Sequence, residues 1–380
     1  MRMAKYNVVI IGGGITGVAL AYMLAERGVE RVLVLERNYL GSGSSFRCAG
    51  GIRASFSSEE HVKLMLRSIE LWHELSKQLG FYYEQSGYVW LLSTEEEFKH
   101  YRELARFHNT LGLTTRVING ERVSDLVPTI SVEGLVGALF DPLAGKASPF
   151  ETLYSLYLAA KKLGAEFWTG CGAEKILIDD GHVVGVKTGR GPIYCDAVVV
   201  AAGSETRRLL MGVGVDVPLE PVPRHALITE AYSEVFKPLV VDASEGAYAV
   251  QVKEGNFLLG ADIEERKGAP LTVRADFPAL VLKVWSRWFQ WLLYTGILRY
   301  WSGYYVVTPD RHPVLGPVNK VEGIYVAAGF SGHGFMMAPV VAEELTNWIV
   351  KGKPQNTYAC RLVLSRFAEG KLLSEKAVIG

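Results

Sequence analysis

Between Tyr6 and Glu36 the sequence leaves little choice of fold. Tyr6–Ile11 is a short, β-rich apolar run, suited to a strand buried in a parallel sheet. Gly12-Gly13-Gly14-Ile15-Thr16-Gly17 follows at once. Ile15 to Arg27 reads as a helix, with Ile15, Val18, Ala19, Tyr22 and Leu24 as apolar positions and Gly28 as its stop. Val32–Leu35 is a second strand ending at Glu36. This is the start of a βαβ unit. Its glycines permit a tight turn and let backbone N–H groups approach a pyrophosphate, whose charge the helix N-terminus stabilises. Glu36 lies 19 residues past Gly17, where a carboxylate accepts hydrogen bonds from an adenosine ribose and disfavours a 2′-phosphate. Gly12, Gly14, Ile15, Thr16, Gly17, Glu36 and Arg37 are therefore read as dinucleotide-binding. The plainer reading is a glycine-rich βα turn without a ligand.

The 380 residues include 40 glycines, above the usual share of roughly 7%. Two further clusters hold part of that surplus. Gly41 to Arg53 (GSGSSFRCAGGIR) leaves the second strand with small residues and two arginines. Small residues let backbone pass close to a flat ring, and serine hydroxyls suit phosphates or ring edges. Ser44, Ser45, Arg47, Cys48 and Gly51 are candidates here; a surface loop is the alternative. Gly329 to Met337 (GFSGHGFMM) joins the apolar strand Ile324–Ala328 to a helix through Ala338–Val350. Such a helix N-terminus can stabilise negative charge on a reduced flavin ring. Gly329, Gly332, His333, Gly334, Phe335 and Met336 are its candidates. Ala202 and Gly203 end a third apolar strand, Ala197–Ala202.

Lys+Arg and Asp+Glu both number 40, and zero net charge argues against nucleic-acid binding. Charged residues at 21% and hydrophobic ones at 49% exclude wholesale disorder. Cys48, Cys171, Cys195 and Cys360 have no metal-type spacing, so no metal is expected, and reduced thiols of a cytoplasmic protein are. Met1–Ala4 is too short for a signal n-region. The uncharged stretch 323–342 is broken by glycines and Pro339, and reads as strand, loop and helix start instead of a membrane span. Helices are expected at Glu59–Leu79, Glu95–Leu111 and Pro149–Leu163. Strands are expected at Tyr88–Leu92, Lys175–Ile178, Val183–Lys187, Ile193–Cys195, Ala226–Thr229, Ala247–Val252 and Asn256–Leu259. The nucleotide unit is thus split by an insertion. Trp285, Trp288 and Trp291 are read as core, with a helix face docking a partner as the alternative.

VVIIGGGITG with LVLER, the GSGSSFRCAGGIR loop, WSGYYVVTPDRHPVLGPV and IYVAAGFSGHGFMMAP, in this order, resemble the D-amino-acid oxidase (DAO) family of FAD enzymes. Sarcosine oxidases, glycine oxidases and dye-linked proline dehydrogenases belong to it. The likeness spans nearly the whole chain. It is strongest to the FAD-bearing β subunit of dye-linked L-proline dehydrogenases, through FRC-x-x-GIR, WxGYY-x-x-TPD and GFSGHGFMMAP. It implies an α/β fold: a Rossmann-like FAD domain over 1–80, 145–217 and 305–380, and a substrate domain with a mixed β-sheet over 81–144 and 218–304. It implies hydride removal from a carbon beside an amine nitrogen, with L-proline the first candidate substrate. A companion α-type subunit, a second flavin (FMN) at a subunit interface, an onward electron carrier and peripheral membrane association through partners are also implied.

Arg53 aligns with a substrate-carboxylate arginine of sarcosine oxidases, Tyr248 with a substrate-side tyrosine, and Tyr305 with an arginine of glycine oxidases. His225 sits in a comparable strand, and His333 in the flavin loop. Structural roles are the alternatives for each. Gly303 stands where covalent-flavin members have cysteine, so non-covalent FAD is expected. Met336 replaces a lysine of the oxidases, and Asn256–Leu259 lacks their oxygen-activating lysine. A nearby cation favours O₂ reduction, so its absence favours a dehydrogenase over a sarcosine, glycine or D-amino-acid oxidase.

Overall fold

A computed structural model describes residues 5–264 and 266–375; Met1–Ala4 lies outside them. The first β-strand, β1 (Tyr6–Ile11), pairs in parallel with β2 (Val32–Leu35) on one side and with Gly191–Val200 on the other. Val8–Ile11 and Val32–Leu35 are all buried. A strand alternates faces, so Val8, Ile10, Val32 and Val34 enter one apolar cluster and Val9, Ile11, Leu33 and Leu35 another. Burial on both faces is why Val8–Ile11 and Val32–Leu35 carry no polar side chain. The sheet runs Ala173–Asp179, His182–Thr188, Gly191–Val200, β1, β2, Glu166–Trp168, with Ile324–Ala328 and Val314–Pro317 branching from Gly191–Val200.

Helix α1 (Ile15–Glu26) has ten consecutive buried residues, Ile15–Leu24, which explains its apolar character all round. Three long helices follow: α2 (Glu59–Leu79), α3 (Glu95–Thr110) and α4 (Pro149–Lys162). Thr94 and Glu97 form a capping box at α3, and Ser148 caps α4 ahead of Pro149. Later helices are α5 (Thr206–Met211), α6 (Phe277–Trp285), α7 (Gly334–Lys351) and α8 (Ser365–Ala368). Residues of α1, α2 and α7 share one core over the sheet.

The second large sheet runs Ile297–Val307, Glu220–Ala231, Asn256–Gly260, Ala247–Gln251, Leu239–Asp242, Tyr88–Leu92, Gly137–Asp141, Arg116–Asn119. Only Leu239–Asp242 against Tyr88–Leu92 is parallel among its described pairs, so this sheet is mixed. The α/β expectation, a Rossmann-like sheet with helices plus a mixed sheet, is the fold observed.

Two local expectations need correction, and the reading of the tryptophans as core holds. Gly191–Val200 is one strand instead of two, because polar Asp196 falls on an exposed position within it. Helix α7 begins at Gly334, since Gly334–Met337 turn directly into the helix. Trp285 and Trp288 are fully buried, bonded through their indole N–H to Gly260 O and Asp242 Oδ2, and Trp291 packs at the edge of the same core. They therefore present no docking face. No helix among the described residues is long and apolar enough to cross a membrane. All four cysteines are free thiols.

Candidate active site

The three glycine loops meet around one cavity of about 460 Å³. The first loop arrives from β1, the second follows β2, and the third links Ile324–Ala328 to α7. Each lies at the carboxyl end of a parallel strand, where ligands bind in open α/β sheets. Gly12, Gly14, Ile15, Thr16, Glu36, Arg37, Ser44, Ser45, Arg47, Cys48, Gly51, Ala202, Gly203, Gly303, Gly329, Gly332, His333, Gly334, Phe335 and Met336 all line the cavity. Gly17 does not line it. It lies beneath the turn, where an added Cβ would fall 2.0 Å from Gly12 O.

The first loop has the form of a cradle. Gly12 has φ +117°, and a Cβ there would meet Ala201 O at 2.3 Å. Glu36 is buried, accepting hydrogen bonds from the Gly13 and Asn38 N–H groups at 2.9 and 2.7 Å. Two backbone donors hold its carboxylate at the cavity wall. Ser45 Oγ accepts the Ile15 N–H at the mouth of α1, 2.9 Å away. Arg47 Nη1 donates to the Ser42 and Gly43 carbonyls, closing its own loop, and its stem packs against Gly303. Ser44 Oγ donates to Tyr304 O, tying this loop to Ile297–Val307. A long cavity with a glycine turn, a helix N-terminus and a held carboxylate at one end fits a flavin dinucleotide.

The other end lies under the mixed sheet. Tyr248 packs over Gly260, where a Cβ would fall 2.2 Å from its ring. Tyr305 packs likewise over Gly332. Burial raises both phenols, Tyr305 to about 12, so both stay protonated at neutral pH. Arg53 also lines the cavity, yet it is fully buried: its guanidinium lies 3.8 Å over the Phe56 ring and Nη1 donates to Ser55 O at 2.6 Å. His333 is buried, with its ring edge-on to Phe56 and His61, and burial holds its pKa well below the usual value.

Side-chain alternation along Glu220–Ala231 separates two neighbours. Arg224 and Ala226 face the cavity side, with Arg224 lying 5.9 Å over the Tyr305 ring. His225 borders the cavity but turns its ring to Phe277 of α6, and its Nε2 accepts the Arg274 N–H at 3.1 Å. Arg224 was missed in the sequence; the phase of the strand was the signal that points to it. It also donates to Asp262 Oδ1 and Ile263 O. Tyr88 was missed too; its hydroxyl touches Gly51 so closely that a Cβ there would sit 1.8 Å away.

Behind Phe56, buried His108 joins α3 to this wall. Its Nε2 contacts Phe56 O at 2.8 Å and its Nδ1 contacts Thr115 Oγ1 at 3.1 Å. Burial lowers its pKa from 6.5 to about 4. Above pH 6.5 folded and unfolded forms are both neutral. Below it the unfolded chain takes a proton that the folded chain refuses, so stability falls down to about pH 4, by roughly 1.4 kcal/mol per pH unit. Thermal or urea unfolding between pH 7 and 4 checks this: His108→Gln is expected to lose less stability over that interval than wild type.

The comparisons agree with this geometry. An L-proline dehydrogenase from P. horikoshii, known from its crystal structure, is 36% identical, with a TM-score of 0.94 over 97% of this chain and 99% of that one. The sarcosine oxidase subunit beta of Arthrobacter sp is 27% identical over 386 residues, covering 98% of this chain and 93% of that protein. The 4-methylaminobutanoate oxidase (formaldehyde-forming) of Paenarthrobacter nicotinovorans is 27% identical over 92% of this chain, which spans only 44% of that longer protein. The family model described as FAD dependent oxidoreductase matches residues 7–348. With a family model matching residues 7–348 and a 36% identical structure superposing over 97% of it, the chain belongs to the DAO family of FAD-dependent oxidoreductases.

Proposed function

We propose that this chain is a dehydrogenase for a secondary (imino) amino acid, L-proline first, giving pyrroline-5-carboxylate and passing electrons to another carrier instead of O₂. The observation that carries this reading is the make-up of the cavity wall. Its cations are arginines, with no lysine among the described lining residues, and its only described lining carboxylates are Glu36 and Glu205. The 36% likeness to an L-proline dehydrogenase supports the substrate.

Bound FAD supplies a hydride acceptor. The chain's own part is binding and orientation. Arg53 is the proposed partner of the substrate carboxylate, with Arg224 flanking Tyr305 as a second cation. A planar guanidinium suits a carboxylate because it donates two parallel N–H bonds. Tyr248 and Tyr305, protonated and seated on glycines, offer flat apolar faces and hydroxyl donors to a five-membered ring. Glu36 is engaged at the nucleotide end, and Glu205 pairs with Arg37 at 3.6 Å. His333 is held neutral. The amine is therefore expected to bind after losing its proton to water, and its lone pair forms the C=N bond as the hydride leaves C5, the ring carbon beside nitrogen that does not carry the carboxylate. Non-covalent FAD is part of the proposal, as Gly303 offers no thiol.

The likeness to a sarcosine oxidase subunit supports a companion subunit as the onward carrier. Leu293, Tyr294, Leu298 and Tyr300 are exposed on and beside Ile297–Val307, an edge strand, and such an apolar patch supports a partner face. FMN at that junction remains part of the proposal; flavin identification by mass on the isolated chain and its native assembly tests it. The direct test is a substrate panel on the yellow protein with an artificial dye and with O₂. Dye reduction is expected with L-proline above D-proline, sarcosine and glycine, without matching peroxide. Peroxide formed as fast as dye is reduced identifies an oxidase instead, and silence across the panel removes the proposal.

A further inference from the structure

Outside the flavin cavity, four polar side chains from three distant parts of the chain converge. Ser58 occupies the N-cap position of α2, its side chain making no cap bond, and His61 lies in the first turn. His312 lies between Ile297–Val307 and Val314–Pro317, and Glu375 follows α8. All four are buried: His312 is 0% exposed, His61 1%, Glu375 4% and Ser58 8%. One ligand atom from each of His61, His312 and Glu375 lies within 4.8 Å of the others.

The hydrogen inventory of this cluster does not balance by itself. His312 Nδ1 faces the Asp310 carbonyl at 2.9 Å, so it carries the proton and Nε2 presents a lone pair. That lone pair meets Ser58 Oγ at 2.9 Å. Glu375 Oε2 meets the same Oγ at 2.7 Å. His61 Nδ1 is 3.3 Å from Oγ and 3.5 Å from Glu375 Oε2. One hydroxyl has one hydrogen, and at least two acceptors claim it. An added proton or a bound cation resolves the surplus; the cation does so by turning each acceptor into a ligand.

Two of the four observed edges already suit a small tetrahedral ion. Metal–ligand bonds of about 2.0–2.2 Å give edges of about 3.3–3.6 Å between ligand atoms. The His61–Glu375 and His61–Ser58 edges, 3.5 and 3.3 Å, already have that length. The two shorter edges at Ser58 open by a small rotation of its hydroxyl. An outer shell is also present. Asp310 O orients His312, and Arg366 bonds both Asp310 carboxylate oxygens at 2.8 and 3.0 Å. The Ser57 and Ser58 N–H groups orient Glu375 from the mouth of α2.

We propose that His61 Nδ1, His312 Nε2 and Glu375 Oε2, with Ser58 Oγ as the fourth donor, form a structural zinc site. Two imidazoles and a carboxylate are a donor set that zinc takes readily. The ion ties the C-terminal segment to α2 and to the loop before Val314–Pro317. His61 also packs against His333, with ring centroids 5.3 Å apart, so the site braces the back of the flavin loop. Ligands this far apart in sequence leave no local spacing signal, and the cysteine spacing, on which no metal was expected, does not bear on them.

The test uses the FAD-loaded protein, and neither readout depends on turnover. After chelation and dialysis, titration with ZnCl₂ is expected to reach one zinc per chain and to raise Tm with added zinc. Glu375→Gln and His61→Gln are expected to lose both effects. His182→Gln, an exposed histidine beside Glu322, is expected to keep them. Should the variants fold poorly, cobalt replaces zinc in the wild type, and its d–d bands beyond the flavin absorbance report a tetrahedral N/O site. Absence of zinc uptake, uptake undiminished in Glu375→Gln, or sulfur-to-cobalt charge transfer from a cysteine site each overturns the proposal.

Discussion

Gly17→Ala is expected to yield a nearly colourless protein. Helix propensity alone argues the other way, since alanine is favoured over glycine by about 1 kcal/mol inside a helix. Packing decides the sign. The new Cβ would lie 2.0 Å from Gly12 O and 3.3 Å from Ile10 Cγ2. Gly12 O is backbone in a turn already at φ +117°, with its own Cα hemmed by Ala201, so it has no rotamer to escape into. Overpacking of side chains costs about 1–3 kcal/mol, and a backbone clash lies at the top of that range or above. The strain falls on the turn that lines the proposed dinucleotide end of the cavity. At about 1.4 kcal/mol per tenfold, FAD affinity drops roughly 100-fold. Gly43→Ala is the matched control: Gly43 lines the same cavity, but nothing lies within 4 Å of its would-be Cβ. Flavin absorbance per chain after gel filtration, with Tm alongside, measures both. A yellow Gly17→Ala protein with wild-type FAD content would refute the packing argument.

The same contrast explains which parts of the molecule were legible in the sequence. β1, the glycine turn and α1 could be read because each rests on local rules: an unbroken apolar strand, a turn only glycine can make, and a stop at Gly28. The three glycine clusters could be grouped because backbone approach to a cofactor demands the same residue in each. Side-chain direction was harder. Arg224 and His225 are adjacent, and only the strand's register with its neighbours decides which faces the flavin; that register is tertiary information. Asp196 interrupts an apolar run, so one strand read as two, although an exposed position in a sheet tolerates it. Trp285, Trp288 and Trp291, read as core from their apolar surroundings, do share one core; only the alternative of a helix face fails, because the helix ends at Trp285. The Ser58–His61–His312–Glu375 cluster had no local signature, because its members meet only after the C-terminal segment packs against α2.

Arg53→Met is expected to lower kcat/KM for L-proline by about 100-fold while leaving FAD bound. A hydrogen bond to a charged group is worth about 1.5–3 kcal/mol, and two lost from a carboxylate reach that factor with room to spare. Methionine keeps most of the volume between Phe56 and Trp90, whose rings lie 3.8 and 5.0 Å from the guanidinium. The variant therefore tests charge more than packing. Some stability is still lost, because burial raises the Asp141 carboxyl and Arg53 is one of the groups that counter this, and Tm has to be measured beside the kinetics. The decisive comparison is between L-proline and pyrrolidine, which shares the ring amine and lacks the carboxylate. A carboxylate clamp makes wild type prefer proline strongly, and its removal brings the two amines close together. If Arg53 only supports the wall, both substrates decline in parallel and the preference survives. Arg224→Met separates the two cations near Tyr305: collapse of the preference there, with Arg53→Met retaining it, transfers the clamp to Arg224. If a buried guanidinium with preset partners reads the carboxylate, a lysine at the same position is expected to recover little of the lost rate, since it cannot donate two parallel bonds.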